Sequence, residues 1–164
     1  MTTLLQLQTD IEIRVNAIRE GHPDWLCRQG CDNCCKRLAE VPNITEEEWN
    51  WLKVGLLTLS TEQLLDIDKK MAAMGNQSSR PFVCPFLDSM IGACKVYAYR
   101  PVACRTYGFY VQRDKGLYCK EIEAIVEDGW LAEVVWGNHD VIDRGLCGLG
   151  ESHELTVWYA EWRK

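Results

Sequence analysis

The sequence predicts a mainly α, single-domain fold, with helices around an irregular cysteine-rich centre and at most short strands. Three observations predict it. Apolar residues recur at helical spacing towards both ends of the sequence. Two capping boxes with apolar flanks mark helix starts within residues 44–64. Residues 82–110, by contrast, crowd Pro, Gly, Tyr and Cys and lack long apolar runs. A length of 164 residues is that of one domain. An apolar fraction of 47% and a charged fraction of 26% exclude a disordered or low-complexity chain. No stretch approaches the ~20 apolar residues of a membrane span.

The elements follow in order. Leu4, Leu7, Ile11, Val15 and Ile18 form one helical stripe, closed by Gly21 and Pro23. Thr45 and Glu48 make a capping box, stapled by Ile44 and Trp49, for a short helix running to about Gly55. Ser60 and Gln63, stapled by Leu59 and Leu64, repeat the device. Leu64, Ile67, Met71 and Met74 continue as a stripe ended by Gly75. The two methionines read as core filling. Short extended pieces are expected around a turn at 88–92, then a helical turn after Pro101. Residues 119–136 read as partly helical, from Ile122, Ile125 and Val126 and then from Leu131 to Trp136, with Gly129 interrupting. Leu155, Trp158, Tyr159 and Trp162 give a last helix, with Arg163 and Lys164 placed for its dipole. Trp49, Trp158 and Trp162 fall on core stripes.

Cysteine is the abnormal component. Cys27, Cys31, Cys34 and Cys35 form C-x3-C-x2-C-C within nine residues of polar loop. Inert buried cysteines sit singly on apolar faces, so these four are not packing residues. Gly30 and Asn33 permit the tight turns that gather sulfurs. Cys84, Cys94, Cys104 and Cys119 follow. The charge pattern agrees. Windows 26–37, 80–87, 94–105 and 113–120 together carry +8, so the remainder carries −14 within a net −6. All eight cysteines lie in these basic windows, where cations favour thiolate. Cys147 lies outside them. The acidic balance argues against a nucleic-acid partner. The first ten residues lack the basic region of a secretory signal, so a cytoplasmic setting is expected. Thiols stay reduced there and read as metal ligands or catalytic groups before disulfides.

These residues carry a resemblance. Cys27-x3-Cys31-x2-Cys34-Cys35, then Cys84-Pro-Phe-Leu, Gly92-x-Cys94-x-Val-Tyr, Arg100-Pro101-x-x-Cys104-Arg105 and Cys119 resemble the CxxCxxCC (YkgJ-type) family of zinc- or iron-chelating proteins. The resemblance spans about residues 27–119, leaving about 120–164 as a C-terminal helical extension. The first gap holds three residues here, against two in the family's name. The resemblance implies a metal-binding centre whose ligands are Cys27, Cys31, Cys34, Cys35, Cys84, Cys94, Cys104 and Cys119. Related cysteine domains occur in a flagellin lysine methylase, which implies a link to methyl transfer, although no glycine-rich loop for a cosubstrate is visible.

Thiolates select zinc, Cu(I) or iron–sulfur clusters. Four thiolates hold one zinc ion or one four-iron cluster, each with a total charge of −2, so charge does not choose between them. Eight sulfurs supply two sites, or one site plus structural thiols. Arg100 and Arg105 are expected outside the ligand shell, donating to sulfur. The first reading is a metal-binding protein holding zinc or an iron–sulfur cluster, with no membrane and no nucleic-acid partner and an open physiological role. The second is a redox or methyl-transfer-related enzyme that uses the cluster. C-x3-C-x2-C also resembles the radical-SAM spacing, although Asn33 stands where an aromatic is usual, and Cys31-Asp-Asn-Cys34 fits redox C-x-x-C. His22 is a candidate nitrogen ligand, His139 reads as a surface histidine at a helix end, and His153 as a residue near the last helix cap. Tyr97, Tyr99, Tyr107 and Tyr110 are candidates to shield the centre.

Overall fold

Where the sequence repeats apolar residues every three or four positions, the chain coils. The computed structural model describes residues 2–164. In chain order its elements are α1 (Leu4–Gly21), α2 (Asn33–Lys36), β1 (Asn43–Thr45), α3 (Glu46–Leu56), α4 (Thr61–Asn76), β2 (Leu87–Asp88) and β3 (Ala93–Cys94). There follow a 3-10 turn (Tyr97–Tyr99), α5 (Val102–Thr106), β4 (Tyr110–Gln112), β5 (Lys115–Leu117), α6 (Lys120–Glu127), β6 (Gly137–Asn138), α7 (His139–Leu146), β7 (Ser152–Glu154) and α8 (Leu155–Trp162). The protein is mainly α, about 50% helical among the described residues, with small sheets only. Among those residues no helix is long and apolar enough to cross a membrane.

Two compact units are present. One comprises Met1–Arg28 and Val102–Leu149, the other Gln29–Pro101 and Gly150–Lys164. In the first, α1 buries the expected stripe, Leu4, Leu7, Ile11, Val15 and Ile18, together with Trp25, Val102, Phe109, Ile122 and Ile142. Thr3 caps α1, its hydroxyl accepting from the Gln6 amide. β4 pairs antiparallel with β5 through a two-residue turn in which Arg113 and Asp114 both take positive φ. That is the turn whose twist suits a hairpin. β6 adds in parallel on the other side of β4. The helix expected to resume at Leu131–Trp136 does not form. Gly129 takes φ +81, in the left-handed region, and ends α6. Trp136 then packs on Trp25 and Tyr118, and Trp130 is left 80% exposed.

In the second unit both capping boxes form as read, at Thr45/Glu48 on α3 and Ser60/Gln63 on α4. Ile44, Trp49, Leu52, Leu56, Ile67, Met71, Phe86, Val96, Leu155 and Tyr159 make its core. The sequence reading missed β1 and β7, which pair antiparallel across more than a hundred residues, Ile44 facing His153. Trp158 stacks on Trp49 and donates its indole N–H to the Ile44 carbonyl at 3.0 Å. Charged groups fasten the helices. Asp68 accepts from the Tyr159 hydroxyl at 2.8 Å and from the Arg163 guanidinium, tying α4 to α8. Asp66 meets Lys70 at 2.7 Å and the mostly buried Lys95 at 2.6 Å, tying α4 to the residue after β3.

Two expectations follow. Gly55 lets the Tyr99 ring lie against α3, and a Cβ there would fall 2.6 Å from that ring. Gly55→Ala therefore destabilises by about 1–3 kcal/mol despite its better helix propensity, measured by urea unfolding. Lys70 and then Lys95 hold the Asp66 carboxyl down, to about 2. A depressed carboxyl stabilises the fold above its unfolded value and loses that contribution as pH falls towards 2. Asp66→Asn should thus flatten stability against pH in the window between about 4 and 2, and leave it unchanged in slope above pH 6.

Candidate metal centre

The second unit gathers thiols from three stretches of chain. Cys34 and Cys35 occupy the single turn α2. Cys84 precedes the β2–β3 hairpin, and Cys94 ends it, facing Leu87. The hairpin is held by its core side: Phe86, Leu87 and Val96 are buried. The Leu87 amide donates to the Cys84 carbonyl and the Lys95 amide to the Phe86 carbonyl. Segment 35–38 is laced to segment 82–84. Leu38 and Phe82 exchange both backbone hydrogen bonds at 2.9 Å, and the Cys84 amide donates to the Cys35 carbonyl at 2.7 Å.

The sulfurs meet as a result. Cys34 Sγ lies 4.0 Å from Cys35 Sγ. Cys84 and Cys94 lie near enough to oppose ionisation of Cys35, and Cys34 near enough to oppose that of Cys94. All four thiols are half-buried. This crowding opposes ionisation. The Cys34 thiol is pushed far above its ordinary range, first by its hydrogen bond to Cys35 and then by burial. For Cys35, the bond to Cys34 favours the thiolate, but the nearby Cys84 thiol, burial, and the neighbouring charges outweigh it and raise the thiol to about 12. Burial raises Cys94. Arg100 is the opposing charge: it lowers the cost of ionising both Cys34 and Cys94. Its guanidinium lies 3.6 Å over the Tyr97 ring, and its Nε donates to the Tyr97 carbonyl at 2.9 Å. Four sulfurs are the donor number of a tetrahedral thiolate site. Among the described residues no group of three donor side chains is placed to hold a metal ion.

The other cysteines divide between the units. Cys31 lies in the second unit, half-buried in the loop before α2, where Asp32 pairs with Lys36 at 2.6 Å. Cys27, Cys104 and Cys119 lie in the first. Cys27 and Cys119 pack on its core, and the Cys27 carbonyl accepts from Arg19 at 2.9 Å. Cys104 and Arg105 share α5. Burial raises the Cys119 thiol. Cys147 is exposed at the end of α7. No disulfide joins any of the nine.

Of the aromatic candidates, Tyr97 stacks under Arg100 and Tyr99 tilts against Trp51. Tyr107 follows α5, and Tyr110 is buried in β4. The histidines have other surroundings. His22 packs on Trp25, and His153 sits edge-on to Trp158. His139 opens α7 as read, but its side chain is only 13% exposed, with Nδ1 3.2 Å from Asp143. One determinant escaped the sequence reading. Gly108, at φ +91, carries the Cys27 sulfur against its Cα, where a Cβ would lie 2.2 Å from Sγ. Its signal in the sequence was an ordinary Tyr-Gly-Phe.

Gly108→Ala should displace Cys27 and cost about 1–3 kcal/mol in urea unfolding, with faster alkylation of Cys27 than in the parent. In metal-free protein at neutral pH, iodoacetamide mapping should modify exposed Cys147 first and Cys34 and Cys35 last.

Comparison with known proteins gives a family for the chain. Neither the curated proteins nor the solved structures give a match. A family model, CxxCxxCC, described as "putative zinc- or iron-chelating domain", matches residues 26–129. That stretch covers well over half of the chain and contains all eight patterned cysteines, and the protein belongs to the CxxCxxCC family.

Proposed function

We propose that the protein binds one zinc or iron ion through Cys34, Cys35, Cys84 and Cys94, with Arg100 as the cation that offsets their charge. The observation that carries this is the 4.0 Å approach of the Cys34 and Cys35 sulfurs, with Cys84 and Cys94 near enough to raise the Cys35 thiol and Arg100 near enough to favour ionisation of Cys34 and Cys94. Thiols held this close resist ionising one at a time. A divalent cation supplies the missing charge and takes them as thiolates, releasing protons. The spacing favours one ion. With metal–sulfur bonds of ~2.3 Å, two thiolates on a tetrahedral ion lie about 3.8 Å apart, close to the 4.0 Å between Cys34 and Cys35. In a four-iron cluster each thiolate sits on its own iron and the sulfurs stand further apart.

The reading extends to Cys27, Cys31, Cys104 and Cys119 as further thiolate ligands, with Arg105 serving beside Cys104 as Arg100 serves here. Cys147 has no part in it. The protein so described is a metal-binding protein of a reducing, cytoplasmic compartment.

Anaerobic purification with elemental analysis tests the reading. Stoichiometric zinc or iron without acid-labile sulfide is the expected result, lost in Cys94→Ser. Arg100→Met should lower metal affinity roughly 10–100-fold with an unchanged circular dichroism spectrum. Affinity should fall as pH falls, because protons compete for the thiolates. A folded protein with intact thiols and no metal overturns the proposal.

A further inference from the structure

We infer that Cys35 and Cys84 are a redox pair whose disulfide expels the bound metal, making occupancy of the site responsive to oxidants. The inference rests on the proposed thiolate site and adds its regulation.

The geometry selects this pair. A disulfide needs Cα atoms about 4.4–6.8 Å apart. Neighbouring residues are fixed at about 3.8 Å, so Cys34 and Cys35 fall short, and both sit in the turn α2. Cys35 and Cys84 lie on separate backbones joined directly by the Cys84 amide to the Cys35 carbonyl at 2.7 Å. The mutual hydrogen bonds of Leu38 and Phe82, at 2.9 Å, hold the same two segments a few residues further on. The two thiols lie close enough that Cys84 raises the cost of ionising Cys35. They are half-buried, so a small oxidant reaches them. Forming the bond therefore closes a short link between segments already fixed together, and requires no long-range rearrangement.

The oxidant is hydrogen peroxide. The Cys35 thiolate attacks the outer peroxide oxygen, the O–O bond breaks, and hydroxide leaves, taking a proton to become water. The Cys84 thiolate then attacks the resulting sulfenic sulfur. The S–S bond forms, a second hydroxide leaves, and it too is protonated to water. Two thiolates lose two electrons and the peroxide gains them. A bound zinc ion, which has no redox chemistry, would lose two of its four ligands and dissociate. A dithiol reductant reverses the sequence and restores the ligands.

The metal-loaded, full-length protein is treated with hydrogen peroxide in the presence of a chromogenic chelator, then alkylated under denaturing conditions and mapped by mass spectrometry. The expected result is a Cys35–Cys84 disulfide, two thiols lost per chain, and one metal released per disulfide, with all three reversed by dithiothreitol. Metal that stays bound while peroxide is consumed overturns the inference but leaves the proposed function standing. Release accompanied by a different disulfide, or by sulfinic acid without any disulfide, overturns it as well. A protein that carries no metal before peroxide is added overturns the proposed function, and the gating with it.

Discussion

Backbone hydrogen bonds between segments 35–38 and 82–84 are the constraint on which the thiol cluster depends. About fifty residues separate the two segments, and closing a loop of that length carries an entropic cost that the thiols do not offset by themselves. The exchange between Leu38 and Phe82 and the bond from Cys84 to Cys35 supply the closure in backbone terms. Beneath them Phe86, Leu87 and Val96 anchor the hairpin in the core with Leu52, Leu56 and Ile67. The core and ladder thus hold sulfurs at distances where each raises the cost of ionising the next. Crowding of this kind favours the thiol over the thiolate wherever no compensating cation is near.

Much of the fold was legible because it is written locally. The α1 stripe, the Thr45 and Ser60 capping boxes and the α8 stripe are patterns within one or two turns, and each produced its helix. What was not legible is non-local. Nothing in Asn43-Ile44-Thr45 names Ser152-His153-Glu154 as its partner, since strand pairing is settled by tertiary contacts. Leu131–Trp136 misled for the opposite reason. Its apolar spacing suits a helix, but Gly129 ends α6 and the stretch is spent on aromatic packing against Trp25 and Tyr118.

The candidate site shows the same division. Cysteine spacing and local charge marked the eight residues, and Arg100 followed from the basic windows. Which thiols stand together did not follow from spacing, because Cys84 and Cys94 are brought to Cys34 and Cys35 by a hairpin and a two-residue bridge too short to announce themselves. Nor did spacing foretell that Cys27, Cys104 and Cys119 would pack in a different unit from the other five. The run Cys27–Cys35 looks like one cluster in sequence, yet the unit boundary falls within it, after Arg28.

That interleaving bears on how the protein is made. The first unit needs Met1–Arg28 and Val102–Leu149, and the second needs Gln29–Pro101 and Gly150–Lys164. Neither is complete while the ribosome is still in the middle of the message. Cys34 and Cys35 leave the ribosome 50 and 49 residues ahead of Cys84, about 2.5–10 s at ordinary elongation rates of roughly 5–20 residues per second. For that interval their thiols have no hairpin beside them. The thiol neighbourhood of Cys34 and Cys35 is therefore completed only once Cys94 and the hairpin that carries it have been made.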